Sequence, residues 1–288
     1  MLIGEPCLWM RAPWLARTAR QIYHPDMARK LRVHLLPTLF EPNELQGAIA
    51  VMIDVLRAST SIVHALAAGA RAIIPCEKVA EARKLAAQLG RQDVLLGGER
   101  GGKAIEGFDL DNSPLSYNTD TVGGRTVVLT TTNGTRALAR MRRADRILVC
   151  ALVNRLGVVE RLAEDKRPVH LVCAGTDGKI TSEDILCAGA IATGLATTGN
   201  FDTADDATRL AQDHFHLHGA DSRSLRTALR ASRGGRNLVQ LGFDDDIDRA
   251  AMLDSFSLVP EFLADSGRIE DAAQPALPNQ TSPDGVES

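Results

Sequence analysis

GAIAVMIDV, residues 47–55, is a near-continuous apolar run that closes on a carboxylate, Asp54. A strand with one wet face alternates apolar and polar residues. A run that is apolar at successive positions and rich in Val and Ile marks a strand covered on both faces, as in a parallel sheet. A charge at the end of such a strand is costly unless a cation or hydrogen bonds compensate it. These residues therefore set two expectations: an α/β fold, and a functional carboxylate at Asp54.

The chain around this run reads as alternating strands and helices. After Asp54 comes a polar loop, 56–61, then a helical pattern over 62–68 that stops at Gly69. A short strand is predicted over 72–76, a helix over 79–89 and a strand over 94–96. Residues 97–117, GGERGGKAIEGFDLDNSPLSY, form a long glycine-rich loop, and a loop of that length inside a compact domain is usually functional. From Arg125 the plan recurs: strand 126–130, polar loop 131–135, helix 136–141, strand 146–150, helix 154–164. IDVLRASTSIVHALAAGARAIIPC and LTTTNGTRALARMRRADRILVC share one layout, strand to Ser/Thr-rich loop to helix to strand ending in Cys. This suggests duplicated βαβα units, at about 47–118 and 124–200. A third unit follows, with strand 169–173, loop 174–179 and a helix over 182–196 capped by Ser182. Residues 202–266 are expected to be mostly helical. The fold class expected is a three-layer α/β/α arrangement with a largely parallel sheet.

The ends of the chain read differently. Residues 1–26 carry both tryptophans, and Arg11 interrupts any signal-peptide core, so the expectation is either a translation start at Met27 or a loose extension over 1–26. Residues 270–288 are polar and proline-rich and are expected to be disordered, leaving 27–268 as the folded domain. The five cysteines are an odd number with no C-x-x-C spacing, which suits reduced thiols in a cytoplasmic protein. A net charge of −3 advertises neither nucleic acid nor an acidic membrane surface, and no run reaches the ~18 apolar residues of a membrane span. A homodimer is the base-rate expectation.

In open α/β sheets, ligands bind beyond the carboxyl ends of the strands. The loops leaving those ends here are 54–61, 97–117, 130–135 and 174–184. They hold carboxylates (Asp54, Glu99, Glu106, Asp109, Asp111, Asp177, Glu183 and Asp184), the hard oxygen donors that Mg²⁺ takes, commonly one or two with water and phosphate oxygens. They also hold two hydroxyl-rich segments that lead into helices: Ser59 and Thr60, and Thr131, Thr132, Asn133, Gly134 and Thr135. Amides and hydroxyls at a helix start can cradle phosphate. Fixed positive charge comes from Arg57, Arg100 and Lys103, the arginines offering a planar fork of donors. There is no Walker A motif, no G-x-G-x-x-G leading into a helix, no G-x-S-x-G elbow and no second Asp two residues after Asp54. His214, His216 and His218 lack the H-E-x-x-H pattern and read as an amphipathic helix surface.

Five segments, in order, resemble the 2-phosphosulfolactate phosphatases: IDVLRASTS, GGERGGKAIEGFDLDNSP, LTTTNGTRAL, CAGTDGKITSEDILCAGAI and LGFDDDIDRAAMLDSFSLVP. Each motif is modest alone; the ordered set spans about 33–260. Ser59 and Ser61 stand where that family more often has threonine, which keeps the hydroxyl. The resemblance implies a Mg²⁺-dependent hydrolase that converts 2-phospho-3-sulfolactate to 3-sulfolactate and phosphate, a step toward coenzyme M in organisms that make it. Under this reading Asp54, Glu99, Glu183 and Asp184 are the candidate Mg²⁺ ligands. Asp54, Arg57, Arg100 and Asn133 are the candidate catalytic residues. Ser59, Thr60, Thr131, Thr132, Gly134 and Thr135 are the candidate phosphate contacts. Attack by water and attack by Asp54 through an aspartyl-phosphate both remain open, with water favoured. A different small phosphate ester, or a metabolite-binding protein without turnover, are the competing readings.

Overall fold

The computed structural model describes residues 28–219 and 221–272. The 1–26 extension, Met27, and residues 273–288 of the expected tail lie outside them. The central run forms β2 (Ile49–Ile53), and all five of its residues are buried. The reason is its place in the sheet: β2 pairs in parallel with β7 (Arg146–Cys150) on one side and β8 (Val169–Cys173) on the other. Its side chains serve two cores. Ile49, Val51 and Ile53 face one cluster, formed with α5 (Arg155–Glu164), α6 (Ser182–Ala196) and α7 (Asp206–His218). Ala50 and Met52 face a second, formed with α1 (Ala58–Ala67) and α4 (Gly134–Arg140). That two-faced burial is the three-layer α/β/α arrangement, and it is why β2 shows no polar alternation.

The remaining elements are β1 (Arg29–His34), β3 (Ala72–Pro75), α2 (Val79–Leu89), β4 (Val94–Arg100), β5 (Lys103–Ala104), α3 (Thr119–Val122), β6 (Thr126–Thr130), β9 (Phe201–Asp202), α8 (Ser222–Ala231), α9 (Arg233–Leu241), α10 (Asp244–Ala250), β10 (Pro260–Leu263) and β11 (Arg268–Asp271). The strands join in the order β5-β4-β6-β3-β11-β10-β7-β2-β8-β1-β9. β4, β6 and β3 are mutually parallel, as are β7, β2, β8, β1 and β9. The β10–β11 hairpin lies between these blocks and is antiparallel to both neighbours. The two blocks therefore run in opposite senses. Exchanging β2, β3 and β4 with β6, β7 and β8, and β10 with β11, leaves the order from β4 to β8 unchanged.

Four sequence expectations need correction. Residues 202–266 are not helical to their end: α10 stops at Ala250, and 260–263 pair as a strand. Residues 270 and 271, placed in a disordered tail by composition, belong to β11. Strands of four residues are too short to show a period of two, and only their partners β7 and β3 define them. Ser59, Thr60 and Ser61 are not in a loop, because α1 begins at Ala58. The cap position of α6 is Thr181 rather than Ser182.

Register explains where the loops emerge. Ile53 is level with Cys150 and with Cys173, so β7, β2 and β8 end together, and the chain leaves them at Ala151, Asp54 and Ala174. Gly98 is level with Thr130, which makes Glu99 and Thr131 neighbours in the same way. Cys76, Cys150, Cys173 and Cys187 are free thiols. No helix of the described residues is long and apolar enough to cross a membrane.

α6 is buried on nearly all sides, which its small residues permit. A Cβ at Gly189 would overlap the carbonyl oxygen of Ala211 on α7. Gly189→Ala must push the two helices apart. It is expected to lower unfolding stability by about 3 kcal/mol, read from the urea midpoint at unchanged m-value.

Candidate active site

The ends of β2, β4, β6 and β8 border one cleft of about 270 Å³, with α9 as the far wall. Asp54 is 6% exposed. One of its oxygens accepts the Ala58 N–H at 3.2 Å, and its own N–H donates to Ser59 Oγ at 3.0 Å. Burial pushes its carboxyl up to about 7. The nearby Glu99 and Glu183 carboxylates add to the rise, and the Ala58 amide and Arg57 oppose it.

The hydroxyls of α1 do not reach the cleft. Ser59 Oγ donates to Met52 O at 3.4 Å and Thr60 Oγ1 to Val55 O at 2.7 Å, both fully buried. They staple the β2–α1 turn. Thr131 and Thr135 likewise satisfy one another. The Thr135 N–H donates to Thr131 Oγ1 at 3.2 Å, and Thr135 Oγ1 donates to Thr131 O at 2.8 Å. Thr132 and Asn133 do line the cleft, and Asn133 Oδ1 accepts the Asp177 N–H at 3.1 Å. Gly134 is needed for close approach: a Cβ there would lie 2.8 Å from Ala58 Cβ and 2.9 Å from Asp54 Oδ2. This glycine lets α4 abut the Asp54 carboxylate.

Glu99 bridges the ends of β4 and β6. Its Oε1 accepts the Thr132 N–H at 2.6 Å, and its Oε2 accepts the Gly102 N–H at 2.8 Å. It stands on β4 rather than in a loop. Arg57 also lines the cleft. Arg100, expected beside it, does not: its guanidinium donates to Glu99 O at 2.8 Å and Glu77 O at 2.6 Å, and it is absent from the lining. Lys103 is exposed.

Glu183 and Asp184 share the first turn of α6 and have different surroundings. Asp184 Oδ1 accepts the Val55 N–H at 2.9 Å. Its Oδ2 accepts the Gly175 N–H at 2.9 Å and the Thr181 hydroxyl at 3.3 Å. Both oxygens are committed to the backbone at the ends of β2 and β8. Burial raises its carboxyl far above the usual range, with Glu183 and Asp54 adding to the effect. Glu183 is 2% exposed, its Oε2 is buried with no partner, and burial raises its carboxyl too. An orphaned carboxylate oxygen in the interior is the kind of group a cation would satisfy.

Among the described residues no three His, Cys, Asp or Glu side chains are gathered closely enough to form a ready-made metal cluster, the His214–His218 pair included. Mg²⁺ does not require one, since it commonly takes one or two carboxylates and completes its shell with water and phosphate. The cleft lining offers carboxylates at Asp54, Glu99 and Asp177 and one guanidinium, Arg57. The donor set fits a hard divalent cation. Sequence reasoning missed Asp246, which holds Arg57, because an acidic run at the start of a helix reads as ordinary capping. It also missed Asn112, Asn237 and Gln240 on the cleft wall. Asn112 falls in the glycine-rich 97–117 loop, and nothing in the local sequence marks Asn237 or Gln240.

The family model for 2-phosphosulpholactate phosphatase matches residues 34–265. The chain belongs to this family. Its activity class is accordingly that of a phosphoric monoester hydrolase. A protein of Deinococcus radiodurans named probable 2-phosphosulfolactate phosphatase is 42% identical over 233 residues, covering 80% of this chain and 92% of that one. Similarly named proteins of Symbiobacterium thermophilum and Caldanaerobacter subterraneus are 41% and 37% identical, each over 76% of this chain and 93% and 89% of their own.

The raised carboxyl of Asp54 has a pH signature. The folded state holds this proton up to about 7, whereas the unfolded chain releases it near 3.9. Between those values the folded state binds more protons, so its stability falls as pH rises and levels off above the folded pKa. In EDTA the Tm advantage of Asp54→Asn over the wild type should widen from about pH 4 to about pH 7 and then stay constant. A flat difference in thermal unfolding across that range would contradict the environment described for Asp54.

Proposed function

We propose that the chain is a Mg²⁺-dependent phosphatase that hydrolyses 2-phospho-3-sulfolactate to 3-sulfolactate and phosphate. The observation that carries the reading is the charge balance of the cleft in a chain of this family. Asp54, Glu99 and Asp177 line it against Arg57 alone, and Arg57 is itself paired with Asp246. A small ester bearing phosphate, carboxylate and sulfonate would be repelled by that lining without a cation. The volume, about 270 Å³, lies just below the ~300–1,000 Å³ range of drug-sized ligand sites and suits a compact metabolite.

Asp54 and Glu99 would hold the cation, with Glu183 Oε2 the third candidate. When bound, Mg²⁺ supplies charge neutralisation to the phosphoryl oxygens. Asp184 is a structural anchor rather than a ligand: both its oxygens accept backbone N–H groups and, unlike Glu99, which is bonded in the same way, it does not line the cleft. Arg57 binds an anionic oxygen of the substrate with the donors that its protein partners leave free. The Asn112, Asn237 and Gln240 amides line the remaining wall and supply neutral hydrogen bonds for carboxylate and sulfonate. Water adds to phosphorus, the bond between phosphorus and the C2 oxygen breaks, and that oxygen leaves as the hydroxyl of 3-sulfolactate. Water is favoured over Asp54 as nucleophile: one Asp54 oxygen is held by the Ala58 amide and the other lies against Gly134. Where coenzyme M is made, the reaction is a step toward it, in the cytoplasm.

Phosphate release from 2-phospho-3-sulfolactate, 2-phospholactate and phosphoglycerate, with Mg²⁺ and with EDTA, tests the proposal. Release should be greatest from the sulfonated ester and abolished by EDTA, and Asp54→Asn should lower kcat by about 100-fold or more. Mg²⁺ should raise the Tm of the wild type and not of Asp54→Asn. Release from the other esters alone would move the substrate while keeping the chemistry. No release from any ester would leave a binding protein. Recovery of a phosphoenzyme on Asp54 would replace water as the nucleophile.

A further inference from the structure

The motif around residues 241–260 takes no part in the chemistry outlined above, yet it makes the deepest ion pair in the described structure. Arg57 Nη1 meets Asp246 Oδ2 at 2.6 Å, and each side chain is 2% exposed. The other Arg57 terminal nitrogen donates to Gly102 O at 2.8 Å. The guanidinium lies over the Phe243 ring, 4.4 Å from its centroid. Asp246 spends its second oxygen on Ser113, whose hydroxyl donates to Oδ1 at 2.5 Å. Arg57 is thus gripped from α10, from the residue before α10 and from the glycine-rich loop. Asp246 does not line the cleft; Arg57 does, and so does Asn112, the neighbour of Ser113. Asn112 Oδ1 is buried there without a partner.

A buried ion pair contributes little net stability, because the desolvation of both charges offsets their attraction. What it does supply is geometry. An arginine has five N–H donors in a rigid fork. Two are taken here, so three remain in a plane whose orientation is set by Asp246, Gly102 and Phe243. An unrestrained arginine would lose side-chain entropy each time it met an anion.

We infer that Asp246 is a positioning residue that acts through Arg57, fixing the guanidinium at the cleft wall so that it meets an anionic oxygen of the substrate already oriented. Ser113 fixes Asp246 in turn, so the α10 segment and the glycine-rich loop reach the chemistry through a single guanidinium. This rests on the reading of the cleft as a phosphatase site with Arg57 as an anion contact.

A double-mutant cycle on the full chain tests it, with kcat and KM for 2-phospho-3-sulfolactate in Mg²⁺ as one readout and the affinity for inorganic phosphate as a second. Asp246→Asn keeps the size of the side chain and its contact to Ser113. It should lower kcat/KM about tenfold, mostly through KM, and weaken phosphate binding by a similar factor. In an Arg57→Ala background the same change should cost nothing further. Guanidinium ion at millimolar concentration should partly restore Arg57→Ala and should not restore Arg57→Ala with Asp246→Asn, since the carboxylate that seats it is gone. A purely structural ion pair would not produce that difference in rescue.

Losses that multiply in the double variant, equal rescue in both backgrounds, or unchanged kinetics in Asp246→Asn would each overturn the inference. So would tighter phosphate binding in Asp246→Asn, which would make Asp246 a mere neutralising charge. If Asp246→Asn does not fold, Ser113→Ala carries the test and should weaken phosphate binding in the same direction, again only when Arg57 is present. If the wild type releases phosphate from no ester, the catalytic reading fails by itself, and non-additivity in phosphate affinity still decides the role of Asp246.

Discussion

Asp184 accepts the N–H of Val55 and the N–H of Gly175, one on each oxygen, with the Thr181 hydroxyl on the second. It does so with almost no exposure to water. Val55 and Gly175 are the residues just past the ends of β2 and β8, so one carboxylate fastens both strand exits to the start of α6. Removing it would leave two buried amides unsatisfied.

The clamp gathers like charge. On top of the effect of burial, Glu183 raises the carboxyls of both Asp54 and Asp184, and Asp54 adds to the rise at Asp184. Glu99 adds to the rise at Asp54 from the opposite block of the sheet. Such a cluster is tolerable when its members are protonated, hydrogen-bonded or neutralised by a cation. Asp184 takes the second solution and Glu99 accepts two backbone amides. Asp54, at the cleft, keeps a raised carboxyl, and Glu183 keeps one buried oxygen without a partner. The carboxylates that border the cleft are thus also the ones whose protonation couples to folding.

The hydroxyl-rich segments show how a plausible functional pattern can serve structure. Ser59, Thr60, Thr131 and Thr135 all direct their hydroxyls or accept bonds within their own turns. Those bonds hold α1 and α4 close enough for Gly134 to touch Asp54. These four residues shape the site without contributing their hydroxyls to the cleft; Thr132, which lines it, is the exception. Arg57 and Arg100 differ for a similar reason. Arg57 meets a buried carboxylate at the cleft wall, whereas Arg100 finds the carbonyl oxygens of Glu99 and Glu77 and stays out of the cleft lining.

The alternation of strands and helices, the doubly covered strand β2 and the exposed demand of a charge at Asp54 were legible in the sequence alone, because burial of apolar surface acts on residues close together in the chain. The helix limits at 79–89 and 182–196 and the strands at 126–130, 146–150 and 169–173 were read correctly on that basis. The β10–β11 hairpin was not legible, since PEFL and RIED mix apolar and charged residues in four positions and pair with strands far away in the chain. The make-up of the site was decided by tertiary structure. Asp184 meets Val55 across 129 positions, and Asp246 meets Arg57 across 189. Hydrogen bonds and ion pairs depend on ångström-scale approach, and no local pattern encodes which distant donor will arrive. The sequence determined that carboxylates and guanidinium groups would stand at strand ends; the fold decided which of them face the cleft and which hold it together.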